Sequence, residues 1–165
     1  MATWRNGYAE DCKSFHPSSI LGVASIKNIA GSMINKEIFK IASNTENFGS
    51  LDNYTHFSNL KNSMCGDNIK VYLVVKKGKI MKFKYEGNAC IYCQASASLL
   101  SKSTKYKSVK NVKNFIKNAK TFFDNENVLC SNNWKIFKKI MSKKNVARKN
   151  CLLLPLKTLL KALNN

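Results

Sequence analysis

The chain of 165 residues, with a hydrophobic fraction of 44%, has the size and composition of one globular domain with one core. Its apolar runs are far shorter than the roughly 20 residues that a helix needs to span a bilayer. The first residues include Glu10 and Asp11 and lack the basic start, apolar run and cleavage site of a secretory leader. We therefore expect a cytoplasmic protein with no membrane contact.

The formal net charge of +19 comes from 28 basic and only 9 acidic residues. Only Arg5 and Arg148 are arginines, and the lysines are spread along the whole chain rather than clustered. Aromatic residues do not alternate with them as they do in RNA-binding sheets, so nucleic acid is not the expected ligand. A field of this sign would steer the protein toward an acidic partner surface.

The N-terminal part is the least informative. We predict that residues 1–32 form an extension and that 33–165 form the folded domain. Cys12 and His16 lie four residues apart in the extension, but nothing nearby completes a metal site. Apolar residues at helical spacing predict the first helix within 33–43.

A β-hairpin is predicted in the middle of the chain. An edge strand within 51–60 comes first, with Tyr54 and Phe57 as candidate core residues. From residue 69 the apolar positions alternate with a period of two, which is typical of a strand with one buried face. These positions are Ile69, Val71, Leu73 and Val75, with Tyr72 and Val74 on the other face. Lys77-Gly78 supplies the hairpin turn, and Ile80, Phe83 and Tyr85 continue the pattern.

Helices are predicted after the hairpin. Small residues at 95–98 follow Cys90 and would let a helix pack closely on the sheet. Apolar residues at steps of three and four predict a second helix over 109–123, and a third is predicted near 134–141.

The last helix is predicted to start just after Cys151, with Pro155 in its first turn, where the missing N–H costs little. The basic stretch 143–150 before it is predicted to be a loop. The sum of these elements is an α+β fold, in which helices pack on a small antiparallel sheet of about three strands.

The cysteines are the candidate chemical residues. Six cysteines without a secretory leader favour metal binding or catalysis over a disulfide framework. Cys65 precedes the hairpin and Cys90 follows it, so the hairpin would bring them together. Cys151 stands at a helix start, and the extended backbone through Gly66 could aim Cys65 and Asp67 to one side.

Three thiolates and one carboxylate would make a tetrahedral site that suits zinc, with the carboxylate as the most exchangeable ligand. Two alternatives remain at this point. The zinc site could be permanently closed and serve only stability, or the three cysteines could be buried and unrelated.

Three motifs resemble the SufU/IscU family of iron–sulfur cluster biogenesis proteins, the NifU N-terminal domain. They are CGD at 65–67, GNACIYCQASAS at 87–98 and ARKNC at 147–151, directly before the last helix. FGSL at 48–51 also fits the family's N-terminal region. The resemblance covers roughly residues 33–163 and implies the same α+β fold.

The SufU branch is preferred over the IscU branch. The IscU branch, whose members are scaffolds for cluster assembly, has a histidine ligand directly before the last cysteine, where this chain has Asn150. Arg148, three positions before that cysteine, and the long segment 105–144 are similar to the SufU branch.

The resemblance implies four zinc ligands, which are Cys65, Asp67, Cys90 and Cys151. It also implies that the protein accepts persulfide sulfur from a PLP-dependent, SufS-type cysteine desulfurase and passes it to downstream Fe–S assembly proteins. PLP belongs to that partner. The alternative is an IscU-type scaffold on which an Fe–S cluster is assembled.

The hypothesised mechanism gives two residues catalytic roles. Zinc would hold Cys65 as a thiolate until the docked partner supplies a replacing ligand, and the freed Cys65 would then attack the persulfide. Arg148 is a candidate to stabilise the released Asp67 or Cys65.

Several residues depart from the family pattern. Ser63 replaces the usual proline before the first cysteine, and Cys93 replaces a serine and creates a C-x-x-C with Cys90. Cys93 could be a small buried residue, half of a redox pair or an auxiliary thiol. We expect no role for Cys130 and a structural role for His56.

Overall fold

The computed structural model describes residues 36–123 and 132–165, which form an α+β fold, as predicted. The predicted extension 1–32, with Cys12 and His16, lies outside the described residues, as does Cys130. The strands are β1 (His56–Lys61), β2 (Asn68–Lys76) and β3 (Lys79–Glu86). The α-helices are α1 (Lys36–Ala42), α2 (Ile91–Thr104), α3 (Val109–Thr121) and α4 (Lys149–Ala162), and two 3₁₀ helices span Asn132–Lys139 and Lys143–Arg148. None of the described helices is long and apolar enough to cross a membrane.

The three strands form one antiparallel sheet in the order β1-β2-β3. The predicted hairpin is β2–β3, and its turn residues Lys77 and Gly78 both have positive φ, 47° and 69°. A two-residue hairpin turn in which both residues have positive φ is a type I′ turn, and its twist matches that of the flanking strands. As predicted, Ile69, Val71 and Leu73 are buried on one face, while Tyr72 is half-buried on the other.

A bulge explains the uneven spacing of the buried residues in β3. Val74 pairs with Lys82 while Val75 pairs with Ile80, so Met81 is an extra residue in β3. Ile80 and Phe83 therefore both face the core, although they lie three positions apart in the sequence.

The edge strand exists, but the predicted core residues of that segment are wrong. Tyr54 is 47% exposed, and Phe57 is half-buried opposite Tyr72 on the outer face of the sheet. The register places Ser58 opposite the buried Val71 and Leu60 opposite the buried Ile69, so these residues of β1, and not Phe57, lie on the inner face. The outward rings of Tyr54, Phe57 and Tyr72 instead pack on one another, with centroids 5.0–5.6 Å apart.

The small residues of α2 allow close packing, as expected. Residues 95–98 are all buried, and the Ser96 hydroxyl donates a 2.7 Å hydrogen bond to the carbonyl of Leu152 in α4. This bond fixes α2 and α4 side by side on the inner face of the sheet. The predicted helix 109–123 is α3, which buries Val112 and Ile116, and the predicted third helix is a 3₁₀ helix.

Two predictions about the C-terminal part are wrong. Residues 143–150 are helical rather than a loop, and α4 begins at Lys149, before Cys151. Pro155 therefore lies inside α4 rather than in its first turn. A proline there removes one backbone hydrogen bond, but nearly every apolar side chain of α4 is buried, and that packing outweighs the loss.

Candidate metal centre

Cys65 lies in the loop 62–67, which connects β1 to β2 at one end of the sheet. The loop is closed by hydrogen bonds from the Asn62 N–H to the Asp67 carbonyl, 2.7 Å, and from the Gly66 N–H to the Asn62 carbonyl, 2.9 Å. Gly66 has φ +74°, so the backbone turns here, and the predicted extended conformation is wrong. The turn nevertheless brings Cys65 and Asp67 to the same side.

Three predicted ligands meet at this end of the sheet. One ligand atom from each of Cys65, Asp67 and Cys151 lies within 4.8 Å of the other two. The sulfur atoms of Cys65 and Cys151 are 3.7 Å apart. In a tetrahedral site with Zn–S bonds of about 2.3 Å, two sulfur ligands lie about 3.8 Å apart. The observed separation fits the edge of such a tetrahedron.

Asp67 gives a second test of whether a cation fits. Its side chain is only 4% exposed, and its Oδ1 accepts a 2.8 Å hydrogen bond from the backbone N–H of Cys90. Its Oδ2 is buried and has no hydrogen-bond partner within the described part of the chain. A buried carboxylate oxygen without a partner is costly unless a cation compensates it. The donor set and the orphaned oxygen therefore suit a divalent metal such as zinc.

Cys90 lies outside that group of three but contacts it. It is the residue that precedes the first turn of α2, where the helix dipole favours a thiolate. The pKa of the Cys90 thiol is lowered because the Cys151 thiol donates a hydrogen bond to it, and the pKa of Cys151 is raised for the same reason. Burial raises the pKa of Cys65.

The other singled-out residues lie around or away from this group. Arg148 directly precedes α4, and its guanidinium carbon is 5.7 Å from the ring centroid of Tyr92 in the first turn of α2. Cys93 is fully buried, and burial raises its pKa well above the ordinary value, which does not favour a reactive redox pair. His56 lies at the opposite end of β1 from the loop and contacts the Thr55 hydroxyl.

Sequence reasoning missed two contacts at the centre. The Asn62 amide donates a 3.0 Å hydrogen bond to the Cys65 sulfur. The Asn150 amide lies 3.5 Å from the sulfur of Met64, whose side chain is 82% exposed. An asparagine before a tight turn was the available signal for Asn62, because its side chain commonly bonds to the backbone two residues on.

Comparisons with known proteins agree on the family. Residues 33–164 match the family described as NifU-like N terminal domain. A curated relative, the iron–sulfur cluster assembly scaffold protein IscU of Thermotoga maritima, is 32% identical over 131 residues. That alignment covers 79% of this chain and 92% of the relative.

Two solved structures are similar in fold. One is a protein of Fervidobacterium islandicum AW-1, assigned as an iron–sulfur cluster assembly scaffold for the SUF system. It is 29% identical with a TM-score of 0.67, over 76% of this chain and 93% of that one. The other is the N-terminal part of a nitrogen-fixing NifU-like protein of Brucella abortus, 23% identical with a TM-score of 0.70, over 79% of this chain and 91% of that one. The second supports the fold alone.

Proposed function

The chain belongs to the NifU-like N terminal domain family, and from that membership we propose that it works in iron–sulfur cluster assembly. Within that process we propose the role of a zinc-dependent sulfur acceptor, which takes persulfide sulfur from a PLP-dependent, SufS-type cysteine desulfurase. The observation that carries the proposal is the convergence of ligand atoms of Cys65, Asp67 and Cys151, together with a buried Asp67 Oδ2 that has no hydrogen-bond partner among the described residues.

Cys65 is the residue best placed to accept sulfur. It lies in a loop that is more exposed than the buried Cys151, and its neighbour Met64 is almost fully exposed. The Cys65 thiolate would attack the outer sulfur of the partner's cysteine persulfide. The new S–S bond forms as the partner's S–S bond breaks, and the partner's cysteine leaves as a thiolate. The product is a persulfide on Cys65, with no net oxidation or reduction.

Cys65, Asp67, Cys90 and Cys151 would hold the zinc ion. When bound, zinc would keep the thiols in their thiolate form and protect them from oxidation. The carboxylate of Asp67 is the hardest of the four ligands, and its Oδ1 is already engaged by the Cys90 N–H. The metal would therefore be bound through Oδ2.

Arg148 is proposed as a stabilising residue beside this site. It precedes α4 three positions before Cys151, and its guanidinium lies against the Tyr92 ring of α2. A guanidinium there would offer charge-assisted hydrogen bonds to a thiolate or carboxylate released during transfer.

A scaffold on which an Fe–S cluster is assembled is the second candidate. The Thermotoga and Fervidobacterium relatives are both described as scaffold proteins, and three thiolates with a carboxylate are also suited to hold a cluster as cargo. Asn150, where the scaffold branch has a histidine, favours the acceptor role.

Metal content separates the two candidates. The protein is purified without oxygen, and its zinc, iron and sulfide are measured together with the ultraviolet–visible spectrum. Colourless protein with one tightly bound zinc supports the acceptor. Brown protein with stoichiometric iron and sulfide would contradict the acceptor role and support the scaffold role.

A further inference from the structure

Asn62 forms hydrogen bonds with all the remaining residues of the loop 62–67 except Ser63. Its backbone N–H donates to the Asp67 carbonyl, and its backbone carbonyl accepts from the Gly66 N–H. Its side-chain oxygen accepts a 3.1 Å hydrogen bond from the Met64 N–H. Its side-chain amide donates a 3.0 Å hydrogen bond to the Cys65 sulfur. One residue thus uses all four of its polar groups within the loop.

These four hydrogen bonds have two separable consequences. The two backbone bonds and the side-chain oxygen close the loop, as an asparagine does in many turns. The amide contributes nothing to that closure, because its hydrogen points at a side-chain sulfur. A donor at 3.0 Å from the sulfur restricts the Cys65 side chain to one orientation.

The sulfur that Asn62 holds is also the one that faces Cys151. The Cys65 sulfur lies 3.0 Å from the Asn62 amide nitrogen and 3.7 Å from the Cys151 sulfur. The Cys65 sulfur therefore makes both contacts at the same time. Asn62 is half-buried, so the bond is partly shielded from competing water.

We propose that Asn62 is a positioning residue for Cys65: its amide holds the sulfur in the orientation from which Cys65 accepts sulfur. The acceptor chemistry rests on the proposed function, whereas the positioning can be tested in the metal-free protein without any partner.

Asn62→Asp is the sharpest variant, because it keeps the side-chain oxygen for the Met64 N–H and removes the donor to Cys65. Ser63→Asp is the matched control, since Ser63 lies exposed in the same loop, two residues from Cys65, and receives the same charge without loss of the Asn62 donor. Each metal-free, reduced protein is treated with iodoacetamide at one fixed pH, and mass spectrometry follows alkylation of the peptides with Cys65 and with Cys151. The unfolding midpoint is measured in parallel.

We expect the alkylation rate of Cys65 relative to Cys151 to change about tenfold in Asn62→Asp, because the sulfur loses the donor that fixes its orientation. The ratio in Ser63→Asp changes much less, because the Asn62 donor remains. An unchanged ratio in Asn62→Asp overturns the proposal. So does a rise in the reactivity of both cysteines with a lower unfolding midpoint, because Asn62 would then only close the loop.

A second readout ties the residue to sulfur uptake. With a persulfide-loaded desulfurase, Asn62→Asp should lower kcat for transfer and leave KM unchanged. If the wild-type protein takes up no sulfur, the proposed function fails, while the alkylation ratio still decides the role of Asn62.

Discussion

Gly87 is the residue on which the position of Cys90 depends. It has φ +150°, and a Cβ added there would lie 2.0 Å from the backbone oxygen of Asn68. The adjoining hydrogen bond from the Asn68 N–H to the Asn88 carbonyl, 2.8 Å, holds the end of β3 against the start of β2. The segment that leads to Cys90 is therefore built on a backbone contact that only glycine permits.

We predict that Gly87→Ala lowers the free energy of unfolding by about 3 kcal/mol or more, because both the clash and the φ angle oppose a side chain. Gly78→Ala is the control, since Gly78 also has positive φ but an added Cβ would meet nothing within 4 Å in the described structure. It should cost only about 1 kcal/mol. Denaturant unfolding measures both, and equal losses would contradict this view of Gly87.

The site could be predicted from sequence in part. The motifs indicated Cys65, Asp67 and Cys151, and the structure brings ligand atoms of these three together, with Cys90 in contact with Cys151. An asparagine before a turn indicated the bond from Asn62 to the Met64 N–H, but the contact of its amide with the Cys65 sulfur could not be predicted, because it depends on the direction of one amide within a loop. The turn at Gly66 was also missed, because a separation of two residues between Cys65 and Asp67 suits either an extended or a turned backbone.

At the scale of elements, the outer face of the sheet carries its own polar network. The Glu86 carboxylate in β3 accepts hydrogen bonds from the Tyr72 hydroxyl, 2.8 Å, and the Lys70 ammonium, 3.0 Å, in β2. These bonds lower the pKa of Glu86, the hydroxyl of Tyr72 first and Lys70 second. Burial and the same carboxylate raise the pKa of Tyr72 to about 12.

We predict that Glu86→Gln changes the acid dependence of stability. A carboxyl whose pKa is lowered by folding adds stability above its ordinary value of 4.5 and loses it as the pH falls through the lower folded value. Wild type should therefore be more stable than Glu86→Gln near neutral pH, by no more than about 1 kcal/mol because the pair is partly exposed. The difference should vanish at strongly acidic pH. Thermal unfolding at a series of pH values measures it, and a constant difference would be the contrary result.

Element positions were predictable where periodicity was strong. The alternation of β2, the turn at Lys77-Gly78 and the stripe of α3 are local patterns, and each was predicted. Pro155 was misplaced, because a local rule puts proline in a first turn, whereas α4 begins at Lys149 and the buried leucines directly before Pro155 are already part of the helix. The outward orientation of Phe57 follows from pairing with β2, which the sequence of β1 alone does not contain.

At the scale of the whole molecule, the surface is strongly positive. Glu37, Glu46 and Glu86 are each paired with a lysine, and Asp67 is buried at the candidate metal centre. These pairs neutralise few of the 28 basic residues. A field of this kind accelerates encounters with an acidic surface and is screened by salt.

If the desulfurase presents an acidic docking face, its association rate constant with this protein should fall about tenfold or more as salt rises from roughly 0.05 M to 0.5 M. The dissociation rate constant should change much less. Stopped-flow mixing at several salt concentrations measures both. An association rate independent of salt would show that the charge has no part in docking.

Sulfur arrival on Cys65 is the most direct test of the proposed function. The protein is mixed with a cysteine desulfurase and cysteine, its thiols and persulfides are then alkylated, and the digested peptides are analysed by mass spectrometry. The same experiment is done with Cys65→Ala and, as a control, with Cys93→Ser. We predict one added sulfur on the Cys65 peptide of the wild type and of Cys93→Ser. We predict further that Cys65→Ala no longer stimulates desulfurase turnover. Full stimulation by Cys65→Ala, or sulfur on another cysteine alone, would contradict the role of Cys65 as the acceptor.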